Sequence, residues 1–232
     1  EAVRGFQILH GLAWFMTERY LLSEAIKWTN AFLASDEITS DPVIHAEALH
    51  TSALIRYWCS NYAEAQQLHE RALSLWRSIG DREKTATSLL NLANVLFDSG
   101  DPQQASLLLL ESLEIWRETG NKHGQAHAST LLGRLALDRG DRESARQHYQ
   151  TALHGFTEIN QPTWISFVQE GLGFVALVEG DNETALSCYR PALSTAIAFR
   201  DNWRISSCLL GFAEIAHRAG TFELAVKLFA AA

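Results

Sequence analysis

Two histidines, His123 and His127, stand at i and i+4 near the start of a helical pattern, a spacing that lets two imidazoles share a metal ion. No Cys, Asp or Glu follows at a distance that completes the ligand set, so an ordinary surface pair is expected. Glu111 and Glu114, or Asp138 and Asp141, are spaced like paired carboxylates. Acid–base work needs an apolar pocket that separates two pKa values, and these residues fall on solvated helix faces. Trp76, Trp116 and Phe156 recur every 40 residues, with Ala196 at the fourth place, a row that could stack a planar cofactor. Near helix ends, such a row is expected to fill the space between neighbouring hairpins. The motifs GxxxxGK(S/T), GxSxG and HExxH are absent. The sequence therefore predicts a protein that is not an enzyme, with no catalytic residue, no metal and no cofactor.

Composition narrows the partners. The 232 residues carry 19 Lys+Arg against 27 Asp+Glu, a formal net charge of -8. A surface that grips nucleic acid needs clustered cations, so no direct nucleic-acid contact is expected. Hydrophobic residues make up 47% and charged residues 20%, the balance of a globular chain. Cys59, Cys188 and Cys208 are odd in number and widely spaced, which fits neither a disulfide framework nor a metal pair. That pattern suits a reducing compartment, and a cytoplasmic location is expected. No apolar run approaches the roughly 18 residues of a membrane span, and no secretory leader pattern opens the sequence. The chain starts at Glu1 and stops at Ala232 inside an apolar helical pattern, so it is expected to be a piece of a longer protein.

The elements that carry these residues follow from an internal repeat. Ala25, Ala65, Ala105, Ala145, Ala185 and Ala225 recur at a spacing of 40. Gly100, Gly140, Gly180 and Gly220 share that period, and Gly80 and Gly120 fall half a period away. Asp81, Asp101, Asp141 and Asp181, with Asn121, follow five of these glycines. Glycine past a helix end accepts the left-handed conformation, and the next Asp or Asn caps the following helix. Pro42, Pro102 and Pro162 stand where a first helical residue needs no N–H. Each 20-residue half then holds one helix about 26 Å long. Six hairpins result, at about 2–34, 42–79, 81–119, 121–159, 161–199 and 201–232, with 35–41 read as a polar loop. Pro191 falls inside a helix and predicts a kink there. No linker interrupts the series, so a single repeat domain over 1–232 is expected.

These residues resemble tetratricopeptide repeats over essentially the whole chain. The family's small-residue ladder matches Ala93, Gly133, Gly173 and Ala213 in first helices, and the six alanines followed by Ala72, Ala152 and Ala192 in second helices. Tyr149, Tyr189 and Phe229 stand where the family places a large residue. The repeat is 40 residues rather than 34, with LWRSIGD (75–81) and IWRETGN (115–121) in place of a closing proline. That form is similar to the sensor arrays of bacterial signal-transduction ATPases, including LuxR-type regulators. The resemblance implies an all-α, right-handed superhelix, and a sensor module whose ATPase and output domains lie elsewhere in the parent chain.

Projected onto the family's concave surface, one row changes chemistry from repeat to repeat while the ladder stays uniform. Trp14, Leu54, Asn94, Arg134, Phe174 and Glu214 lie one place after the ladder, flanked by Thr17, Tyr57, Phe97, Leu137, Leu177 and His217 three residues on and by His10, His50, Leu90, Thr130, Glu170 and Leu210 four residues earlier. Together with His127, Trp14, His50, Leu54, Asn94, Phe97, Arg134, Glu170, Phe174 and Glu214 are the predicted groove residues. The predicted occupant is a peptide, a protein segment or a small effector molecule. Arg134 would bind a carboxylate or phosphate, and Asn94 an extended backbone. A constitutive assembly scaffold is the alternative, with an enzyme accessory domain further behind. Phe222, Leu224, Val226, Leu228 and Phe229 give the last segment an apolar face with no polar cap, so self-association through that end is also expected.

Overall fold

The structure, a computed structural model, describes residues 2–18 and 21–231, and side chains at all of these except 12–18 and 229. Helices and their connections account for all the described residues, with no strand among them. The chain packs as two compact units, Glu1–Gly120 and Asn121–Ala232. The first holds three antiparallel pairs: α1 (Ala2–Glu18) with α2 (Leu22–Leu33), α4 (Pro42–Trp58) with α5 (Tyr62–Ile79), and α6 (Arg82–Asp98) with α7 (Pro102–Thr119). A four-residue helix, α3 (Asp36–Thr39), separates the first two pairs. The second unit holds α8 (Lys122–Asp138) with α9 (Arg142–Glu158), α10 (Pro162–Glu179) with α11 (Asn182–Phe199), and α12 (Asn202–Arg218) with α13 (Phe222–Ala231). Within each unit the pairs stack on one another as an α-solenoid. No helix among the described residues is long and apolar enough to cross a membrane.

The junctions follow from local chemistry. Gly80, Gly100, Gly120, Gly140, Gly180 and Gly220 all have positive φ, as the punctuation requires. Ser60, Asn160 and Arg200 adopt the same left-handed conformation and complete the 20-residue series from 60 to 220. After these residues the next N–H reaches back five positions, as from Asp101 to the Leu96 carbonyl at 2.8 Å and from Asp141 to that of Ala136 at 2.9 Å. The side chains then cap the following helix: the Gln104 N–H donates to Asp101 Oδ1 at 3.0 Å, and the Gly124 N–H to Asn121 Oδ1 at 2.8 Å. Such caps contribute about 1 kcal/mol each.

One local expectation changes. Residues 35–41 are not a plain loop, because α3 forms within them and buries Ile38 completely. One apolar side chain among polar neighbours found a core position, which a polar run conceals. Pro191 lies inside α11, which continues past it to Phe199. Pro191 and Ser187 are both exposed, so the carbonyl that loses its helix bond is left to water.

The core is the small-residue ladder with large residues between the hairpins. Ala25, Ala65, Ala105, Ala145 and Ala185 are fully buried, and Trp76, Trp116 and Phe156 are buried with them. In the second unit the aromatic partners are visible: Phe156 stacks on Trp164 with ring centroids 5.4 Å apart. Tyr149 is held between Gly133 and Gly171, and Tyr189 between Gly173 and Gly211. A Cβ at Gly171 would stand 2.7 Å from Tyr149 Cζ, so the helix approaches the ring only because that atom is missing.

Candidate functional site

A cavity of about 550 Å³ opens between α10 and α12, with α11 at its base. Glu170, Phe174, Leu177 and Val178 face it from α10, at i, i+4, i+7 and i+8. Ser207, Leu210, Gly211, Glu214 and Arg218 face it from α12, again along one helical stripe, and Tyr189 of α11 supplies the base. Helical spacing therefore builds both walls. Phe174 is 47% exposed and Leu210 45%, so large apolar surface remains open to water there.

Charged groups are set into these apolar walls. The Ser207 hydroxyl donates to Glu170 Oε1. Arg204, itself buried, places Nη1 3.6 Å from Glu170 Oε2 and Nη2 3.0 Å from Asp201 Oδ2, and its guanidinium lies 4.8 Å from the Phe167 ring centroid. Burial pushes the Glu170 carboxyl above its ordinary range, against the pull of Ser207 and Arg204. Burial likewise raises the Tyr189 phenol, and the Glu170 charge adds to it. At the far end Arg218 donates from Nε to Glu214 Oε1 at 2.8 Å and from Nη1 to the Leu177 carbonyl at 2.6 Å.

Of the predicted groove residues, Glu170, Phe174 and Glu214 thus come together in one cavity. Arg134 lies half-buried on α8 and is not among its lining residues; its charge opposes the burial that raises the Tyr149 phenol to about 12. His127 packs against Trp164 at 4.4 Å between centroids, and burial draws its pKa down to about 4. In the first unit, His50 meets His69 edge-on at 5.3 Å and is also drawn down to about 4. Leu54, Asn94 and Phe97 are half-buried there, and the Asn94 side chain makes no hydrogen bond among the described residues. Trp14 belongs to α1, and its side chain lies outside the described residues.

Tyr189, Ser207, Gly211 and Arg218 are lining residues that sequence reasoning did not place in the groove. One signal was available. Arg218 occupies the repeat position of Asp98, Asp138 and Val178, and that unlike residue types share one position marks it as variable.

Residues 45–118 match a tetratricopeptide-repeat family model, and residues 126–151 match a second. Over these two stretches the chain matches tetratricopeptide repeats, and its fold is a solenoid of that kind. No curated protein matches it. Among solved structures, a Rap protein complexed with Competence and Sporulation Factor is 16% identical, with a TM-score of 0.79 over 97% of this chain and 72% of that one. BtubC from P. vanneervenii is 20% identical, with a TM-score of 0.69 over 86% and 82%. A signal-transduction ATPase with a tetratricopeptide-repeat sensor, from Pyrococcus horikoshii, is 16% identical with a TM-score of 0.69; the match covers 98% of this chain and 39% of that protein. At these identities the likeness is one of fold. Tetratricopeptide arrays are protein-binding modules, and this chain is one of them by its repeats.

Proposed function

We propose that the chain is the sensor region of a cytoplasmic bacterial regulator, an ATPase or transcription factor, and that it acts without catalysis by binding a peptide or protein segment. The observation that carries this reading is the cavity between α10 and α12. Its walls differ in chemistry from the equivalent positions of other repeats, while the alanine ladder behind them does not change. Structural positions in a repeat resemble one another, whereas recognition positions are free to differ. The likeness in fold to a Rap protein solved with Competence and Sporulation Factor, and to an ATPase with a tetratricopeptide-repeat sensor, supports the same reading. The three cysteines are free, which suits the cytoplasm.

In this role Phe174 is the apolar anchor of the second unit. Asn94 serves the backbone of a bound segment in the first unit, and Arg134 a carboxylate in the second. Binding switches the parent protein only if the segment prefers one arrangement of its domains over another. The test is retention of a random-peptide library by the chain. Phe174→Ala should lower retention of the selected peptides at least about tenfold, the effect of losing one apolar anchor. Equal retention by Phe174→Ala, Asn94→Ala and Arg134→Ala would overturn the reading.

A further inference from the structure

The charges around the cavity between α10 and α12 do not balance. Arg204 is shared between Asp201 and Glu170, and its Nε and Nη1 make no hydrogen bond. At the other end of the same helix Arg218 is committed to Glu214 and to the Leu177 carbonyl. Two guanidinium groups therefore stand against three carboxylates, and one negative charge is left over. The surplus lies where Glu170 and Asp201 share the single guanidinium of Arg204. Ser207 satisfies Glu170 Oε1, but Oε2 is buried and accepts no hydrogen bond. Beside this carboxylate stand the open apolar faces of Phe174 and Leu210.

Resting on the reading of this cavity as a segment-binding site, we infer that it selects a basic side chain, Lys or Arg. The methylene stem of such a side chain lies on Phe174 and Leu210, and its cationic head approaches Glu170 and Glu214. A long basic side chain is apolar along its stem and charged only at its tip, which matches the walls in order. The Phe174 face adds the attraction of an aromatic ring for a cation. An acidic or phosphorylated segment would instead meet the surplus negative charge. A purely apolar one would leave Glu170 desolvated without a new partner, the costly arrangement for a carboxylate. The cation offsets that desolvation through a charge-assisted hydrogen bond.

The probe is a random-peptide library on beads, retained by the chain and then sequenced. Retained peptides should share Lys or Arg at one position, and replacing that residue by norleucine should weaken binding about tenfold, the effect of one charged hydrogen bond. Glu170→Gln and Glu214→Gln should each weaken the basic peptides and narrow or abolish their advantage over the norleucine versions. Glu214 is half-buried and, among the described residues, bonded to Arg218 alone, so its variants test the idea even if Glu170→Gln fails to fold. Glu214→Lys should turn the preference toward acidic residues. Peptides with no basic position, or equal binding of the norleucine versions, would overturn the inference. A library not retained at all would sink segment binding itself, and this inference with it. Retention that depends on Phe174 but not on charge would sink the inference alone.

Discussion

The ring of Tyr189 lies so close to Gly211 that a Cβ placed there would stand 2.5 Å from Cζ. A buried ring cannot yield as the tip of a lysine would, so Gly211→Ala must push α12 or Tyr189 out of place. We expect a loss of about 1–3 kcal/mol, the usual cost of overpacking. Gly173→Ala, whose Cβ would stand 3.1 Å from the same ring, should cost less. Urea midpoints of the two variants check the order, and Gly211→Ala should also disturb peptide retention because Tyr189 is the cavity base.

The left-handed junctions give a prediction of opposite sign. Arg200 has φ 56° and Ser60 φ 59°, where a Cβ costs about 1–2 kcal/mol. Arg200→Gly and Ser60→Gly should therefore stabilise the chain by roughly 0.5–1 kcal/mol after the extra freedom that glycine gives the unfolded chain. Asn160→Gly should gain less, because Asn tolerates this conformation. Gly140→Val should cost about 1 kcal/mol or more. Thermal unfolding of the four variants reads all the signs.

Acid should destabilise both units. His50 is drawn from 6.5 to about 4 chiefly by burial, with Lys84 and His10 adding to the effect and Glu47 opposing it. His69, fully buried with neither ring nitrogen hydrogen-bonded, is drawn well below 6.5, and His127 to about 4. Each group takes up a proton more readily in the unfolded chain. Stability is therefore full above pH about 6.5 and falls as the pH drops toward about 4. For His50 and His127 we expect a loss on the order of 1–3 kcal/mol each, seen in urea midpoints across that range. His69→Leu should flatten the profile.

Arg56 is buried and ties three helices together. It donates from Nε to Glu64 of α5 at 2.7 Å, from Nη1 to Thr29 of α2 at 3.2 Å and to the Ser52 carbonyl at 3.1 Å, and from Nη2 to Asn30. Arg56→Ala should cost about 3–5 kcal/mol, while Arg56→Met, which refills the volume, should cost less. Denaturation of the two variants separates lost packing from lost hydrogen bonds.

These cases show what the sequence could convey. Period, glycine and capping residue act within a few positions of one another, so helix ends near Gly80, Gly100, Gly120, Gly140 and Gly180 could be read directly. The aromatic row at Trp76, Trp116 and Phe156 was legible for the same reason. Arg56 and Arg204 were not, because their burial depends on partners 26 residues or more away or on rings of the same helix bundle. The cavity was half legible: the helical stripe brought out Glu170, Phe174 and Glu214. The part played by Arg218 depends on the Leu177 carbonyl, 41 residues distant, which no side-chain pattern reveals.

The glycines that clasp the two tyrosines carry a consequence for how such an array can change length. Gly171 and Gly211 are 40 residues apart, as are Tyr149 and Tyr189, and each ring meets its glycine in the next hairpin. Excision of residues 161–200 would join Asn160 to Asp201, a left-handed residue followed by a capping aspartate. Tyr149 would then find Gly211 where it now finds Gly171. The contacts are interchangeable parts, so a genetic duplication or deletion of one 40-residue unit alters the number of recognition surfaces without requiring a new way to pack them.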